Sequence, residues 1–221
     1  MISDEHKFIF IHINHCGGTS IENALRDFGE MRPANIDPIG REDLFDDQLP
    51  LKATQHMTAL ELKTYYGQEI WDTYFKFTFV ANPFDRMVTA FLQRGQPIFN
   101  HGTLSEFFYG PYCNVSEPIT EKEYPDRAYI ASRVERMVRS SYSWLSDRDG
   151  ELLEIDFIGR KESLNAGFEV VLDRLGIKTT LPHVNKTSNK KHYSKYYNEK
   201  TIRWGEERMG EDLKYFNYSF E

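Results

Sequence analysis

Two cysteines in 221 residues, Cys16 and Cys113, are too few for a disulfide framework or a zinc cluster. A reducing compartment, the cytoplasm, is the simpler expectation. No apolar run approaches the roughly 20 residues that span a bilayer. The opening MISDEHK carries two acids and no charge pattern of a secretion signal. There is no global basic field: the formal charge is −7, which excludes nucleic acid as the main partner. Anion binding must therefore come from a local arrangement of donors. Internal repeats and low-complexity tracts are absent. So is the GxxxxGK[ST] pattern of a Walker loop.

What the chain does contain is apolar material enough for one sizeable core. Hydrophobic residues make up 40% and aromatics 14%, which favours a globular fold over disorder. We expect one domain, 1–221. Residues 8–14 read as a strand buried on both faces, and residues 19–28 as a helix with Ile21, Ala24, Leu25 and Phe28 on one side. Residues 29–50 read as irregular, with a short strand near 51–55. Thr58 and Glu61 form the pattern of a capping box. A second apolar strand covers 75–81. Asn82-Pro83 then starts a helix running to about residue 94. The Gly- and Pro-rich segment 95–125 is long enough to be a lid or acceptor loop. A helix is expected over 126–139, a turn at 147–150, a strand at 153–158 and a helix at 162–175 stopped by Gly176. A basic loop, 185–192, precedes a last helix at 198–215. Buried strands alternating with helices imply an α/β fold with a mainly parallel sheet.

Two stretches carry the chemistry. In HINHCGGTS, residues 12–20, a strand runs through two glycines into a helix that begins with two hydroxyls. Backbone N–H groups and the helix dipole converge there, so the turn suits an anion. The plainer alternative is a strand–helix turn whose hydroxyls only cap the helix. FVANPFDRMVTAF, residues 79–91, repeats the strand-to-helix arrangement. In a parallel sheet the two strand ends share an edge, where open α/β sheets bind ligands. Its plainer alternative has Asn82 capping, Asp85 favouring the helix start and Arg86 pairing on the surface.

Taken together, Asn14-His15-Cys16-Gly17-Gly18-Thr19-Ser20 and Phe79-Val80-Ala81-Asn82-Pro83-Phe84-Asp85-Arg86-Met87-Val88-Thr89-Ala90-Phe91 resemble the two nucleotide motifs of the PAPS-dependent sulfotransferases. PAPS is 3′-phosphoadenosine 5′-phosphosulfate. The likeness is to the carbohydrate-type group with short bacterial members. It continues through DFIGRKESL (156–164), LPHVNKTSNKKHY (181–193) and YYNEKTIRWGEERMGEDLKYFNY (196–218), nearly the whole chain. The resemblance implies a P-loop-like three-layer α/β fold, its mainly parallel central sheet flanked by helices. It implies sulfuryl transfer from PAPS to a hydroxyl acceptor, a carbohydrate by analogy, with no metal. Cys16, Gly17, Gly18, Thr19 and Ser20 would cradle the 5′-phosphosulfate. Thr89 would contact the 3′-phosphate. Lys186 and Thr187, with Ser188 and Lys190, would lie in a loop closing over the nucleotide, and Arg160 is a further cofactor contact. His56, in QHMTALEL, would deprotonate the acceptor hydroxyl. The residue-level alternatives are a capping or surface role for His56, a solvated run for the lysines and a structural ion pair for Arg160.

Two departures fall on charge. His15 stands where the family pattern has lysine, and Ala81 where it has arginine. One charge-assisted hydrogen bond to phosphate is worth roughly 1.5–3 kcal/mol, so losing one costs about one to two powers of ten in nucleotide affinity. His15 would supply the catalytic cation only when protonated, with an unperturbed value of about 6.5. The alternative function is a degenerate sulfotransferase-fold protein that holds a nucleotide, glycan or protein partner without turnover. An enzyme using a nucleoside triphosphate instead is disfavoured by the missing Walker lysine.

Overall fold

A computed structural model describes residues 1–31, 55–95, 102–109, 138–182 and 189–221. The expected irregular stretch 29–50 beyond residue 31, the strand near 51–54, most of the 95–125 loop, the 126–137 helix and the loop residues Lys186, Thr187 and Ser188 lie outside the described residues. By its internal contacts the chain divides into two units: Met1–Ala81 with Ser143–Lys186, and Asn82–Tyr142 with Thr187–Glu221.

The first unit holds an open four-stranded sheet in the order β1 (Ile2–Ser3), β2 (Phe8–Ile11), β3 (Phe75–Val80), β4 (Phe157–Arg160). β1 runs antiparallel to β2, while β2, β3 and β4 are mutually parallel. Alternation puts Phe8 and Phe10 of β2 and Phe77 and Phe79 of β3 in one cluster. Ile21, Ala24 and Leu25 of α1 (Gly18–Leu25) and Phe168, Val171 and Leu172 of α7 (Leu164–Leu175) complete it. The chain is thus a mixed α/β protein with helices on its sheet, as the strand–helix alternation predicts. A β-carbon at Gly159 or Gly167 would strike the Phe79 ring, so β4 and α7 close on the sheet only with glycine there. Lys76 is buried in β3, yet its Nζ donates to the carbonyls of Trp71 and Tyr74 and pairs with Asp156 at 2.8 Å. A charge so enclosed is tolerable because all of its donors are used.

Several expectations hold in detail. The Thr58–Glu61 capping box closes both bonds at the start of α2 (Ala59–Tyr66), which is followed by α3 (Gln68–Thr73). α7 ends at Gly176 in the left-handed conformation. Asp147 organises the turn before β4 by accepting from the N–H groups of Asp149 and Glu151. The strand expected at 153–158 instead spans Phe157–Arg160. Asp156 takes the Lys76 N–H with its carboxylate at 2.7 Å, so the ladder begins one residue later.

The second unit begins with α4 (Pro83–Ala90), capped by Asn82 Oδ1 accepting from Phe84 N–H and widening into a π-type turn over Phe91–Gly95. α5 (Leu104–Tyr109) and the final helices pack an aromatic core of Phe84, Phe91, Phe107, Phe108, Tyr193 and Met209. The helix expected at 198–215 is two helices, α8 (Glu199–Arg208) and α9 (Gly210–Tyr215). The break falls at Met209, which leaves helical geometry beside Gly210, the residue type with the weakest hold on a helix after proline. Arg86 does not pair on the surface. It is 0% exposed, with its guanidinium 4.0 Å from the Asp212 carboxylate and donating to the Arg139 carbonyl. Asp212 also accepts from the N–H groups of Ser141 and Tyr142, at the start of α6 (Ser141–Leu145). Burial raises the Asp212 carboxyl, opposed by Arg86 and those two amides. Among the described residues no helix is long and apolar enough to cross a membrane.

The Arg86–Asp212 contact predicts a specific stability loss. Asp212→Ala would strand a buried guanidinium and two amides, and should lower unfolding free energy by about 3–5 kcal/mol. A urea-unfolding midpoint within error of wild type would contradict that role.

Candidate active site

β2 runs out at Ile11, and the chain crosses the sheet edge through His12–Gly17 before α1 begins. Two residues of this turn have positive φ: His15 at 64° and Gly17 at 89°. The second suits glycine, whereas a non-glycine residue in this region costs energy and clusters at functional turns. A β-carbon at Gly17 would also lie 2.8 Å from Leu164. No side chain caps α1. Ser20 N–H bonds back to the Gly17 carbonyl at 3.1 Å, while the amides of Gly17, Gly18 and Thr19 have no hydrogen-bond partner among the described residues. The plainer reading, that Thr19 and Ser20 serve as caps, is therefore not what the turn does. Cys16 is 1% exposed, with its thiol donating to the Asn14 carbonyl at 3.5 Å.

Beneath the turn lies a polar cluster that the motif reading passed over. His12 Nδ1 meets Glu22 Oε1 at 2.6 Å, and Gln55 Nε2 donates to Glu22 Oε2 at 2.7 Å. His56 Nδ1 lies 3.4 Å from the His12 carbonyl oxygen, and the two rings meet edge to face at 4.5 Å. With its proton on Nδ1, His56 presents Nε2 as the basic nitrogen, the arrangement a general base needs. The N-cap of α2 is Thr58, so His56 is not a cap. The signal in the sequence was there: a histidine within an apolar strand, and a glutamate next to Ile21 on an inward-facing helix. Burial alone would raise the Glu22 carboxyl. The His12 hydrogen bond and charge, the Gln55 bond and the chain's amino terminus outweigh it and hold Glu22 below its ordinary 4.5.

The C-terminal ends of β2, β3 and β4 line one sheet edge, because all three are parallel. Arg160, exposed, ends β4 directly opposite Val80, and the buried Ala81 follows β3. That edge thus carries the turn into α1, Ala81 and Arg160 within one unit.

The second unit supplies a cation of its own. Lys190 Nζ lies 2.8 Å from Thr89 Oγ1 and 2.5 Å from Asp85 Oδ1, and also donates to the Asp85 carbonyl at 3.3 Å. Thr89 is buried and Lys190 nearly so, 16% exposed in its side chain. Asp85 lies in the first turn of α4, as the helix-start reading has it, and also holds this lysine against the Thr89 hydroxyl.

A model of the sulfotransferase family matches residues 1–219, across both units. The chain belongs to that family. No curated protein and no solved structure gives a match. Members of the sulfotransferase family move a sulfuryl group, and the family generally uses PAPS as donor.

The depressed Glu22 carboxyl has a pH consequence. Its folded value is below its unfolded one, so its contribution to stability is present above pH 4.5 and is lost as pH falls through the folded value. The stability gap between wild type and Glu22→Gln should therefore narrow on acidification below that point, measured by denaturant unfolding. A gap that stays constant would refute it.

Proposed function

We propose that the protein is a PAPS-dependent O-sulfotransferase acting on a hydroxyl acceptor, a carbohydrate by family analogy, with the chain working as one sulfotransferase-like domain. The observation that carries this reading is the α1 turn, whose first amides are left without a protein partner. Such amides, aligned with the helix dipole, are what a phosphosulfate group requires.

The roles follow. The turn from Cys16 to Ser20 holds the 5′-phosphosulfate. Thr89 and Lys190 hold the 3′-phosphate, Lys186 and Thr187 are assigned to the nucleotide by the family resemblance alone, and Arg160 adds positive charge at its sheet edge. Lys190 supplies the positive charge for that phosphate. The acceptor hydroxyl gives its proton to His56, and its oxygen attacks sulfur in line. The sulfur–oxygen bond to the 5′-phosphate breaks, and that oxygen leaves with the electron pair. His15, as imidazolium, stabilises the charge on the departing oxygen. As in phosphoryl transfer, positioning and electrostatics do most of the work.

The non-catalytic reading is favoured by one observation: Ala81 is buried and offers no charge. Turnover decides between the two readings, since the alternative holds a nucleotide, glycan or protein partner without it. Lys190→Ala should weaken binding of PAP, the sulfate-free product, by about 10- to 100-fold in calorimetric titration, the loss expected for one charge-assisted contact. Unchanged affinity would remove Lys190 from the site. With PAPS and a panel of glycan acceptors, the rate should rise as pH falls from about 8 toward about 6, until His56 itself takes up a proton. His15→Lys should flatten that rise. PAP binding without turnover by either protein would establish the non-catalytic reading.

A further inference from the structure

Outside the assigned roles, the most unusual group in the first unit is the His12 ring. It is 4% exposed, stacks on Phe10 and gives its Nδ1 to Glu22. Its other nitrogen, Nε2, has no hydrogen-bond partner among the described residues. The edge of the ring bearing Cδ2 and Nε2 lies directly against Gly18, where any β-carbon would overlap both atoms. An aliphatic residue would fill this space without leaving a nitrogen unpaired. The nitrogen thus sits under the first residue of α1, beside amides that also lack protein partners.

We infer that His12, oriented by Glu22, is an anion-responsive group of the α1 turn: when a phosphate or phosphosulfate occupies the turn, Nε2 takes up a proton from the buffered solvent and, keeping it, donates an N–H hydrogen bond toward the anion. This rests on the proposed reading of the turn as the donor site, and deepens it by adding a second histidine to the one that replaced lysine. Glu22 is the positioning residue. Its bond keeps a proton on Nδ1, so uptake at Nε2 completes an imidazolium flanked by a carboxylate on one side and the bound anion on the other. The groups facing His12 are Glu22 from α1 and His56 ahead of α2, with Gln55 and the chain's amino terminus acting on Glu22. Of these, Glu22 favours the charged ring, whereas a protonated His56 would oppose it.

Long-range proton–nitrogen spectra of the 15N-labelled full chain read each imidazole separately. They would be recorded over about pH 5.5–8.5, the range in which histidines titrate, without ligand, with PAP and with inorganic pyrophosphate. The free protein should show His12 protonated on Nδ1, and either probe should raise its titration midpoint by about one unit or more. In Glu22→Gln the fixed Nδ1–H form should give way to a mixture. Backbone correlations assign the ring, so the result does not depend on whether His12→Gln folds. If PAP binds and shifts other resonances while His12 titrates as before, the inference is overturned and the donor reading stands. A His12 shift with pyrophosphate but no PAP binding supports the inference and overturns the PAPS reading. Failure of both probes to bind overturns both.

Discussion

His12 and Glu22 meet at 2.6 Å behind the first turn of α1, and the form of the turn that leads into α1 depends on that bond. The carboxylate fixes the ring, Gln55 holds the carboxylate and Phe10 supports the ring's face. With the ring in place, only glycine fits at position 18. The chain can then enter α1 close against β2, with its leading amides uncommitted.

Buried charge recurs as an organising element, with every Lys76 donor paired but Arg86 Nε and Nη1 left without a hydrogen-bond partner among the described residues. Lys76 ties β3 to the residue before β4 through Asp156. Asp212 joins α9 to the start of α6 and receives Arg86 from α4. Asp85 holds Lys190 on Thr89, and the Tyr197 hydroxyl, raised well above its ordinary range by burial and then by Asp85 and Tyr193, stays protonated to donate to the Phe84 carbonyl. Removing one partner of a buried pair costs more than the pair contributes, so these contacts constrain the fold strongly even where their net stabilisation is small.

Local signals with a single physical reading were legible in the sequence. Thr58 with Glu61, Asn82 with Pro83 and Gly176 each mark a helix end by satisfying or freeing a backbone group, and the structure has all three. The apolar runs marked β2 and β3, and the two motifs marked the family. What escaped were relations between residues far apart in the chain. Arg86 reads as a surface charge until Asp212, 126 residues later, is folded against it. His12 looks like one more strand residue until Glu22 and Gln55 close around it. The start of β4 and the break at Met209 were likewise set by tertiary contacts and one glycine, against the local pattern.

The central claim is that the uncommitted amides at the start of α1 hold the donor's phosphosulfate end. Amide hydrogen exchange with and without PAP tests it most directly. Bound PAP should slow exchange at Gly17, Gly18 and Thr19 as those N–H groups acquire an acceptor. PAP that binds yet leaves these three amides exchanging at the free rate would contradict the account.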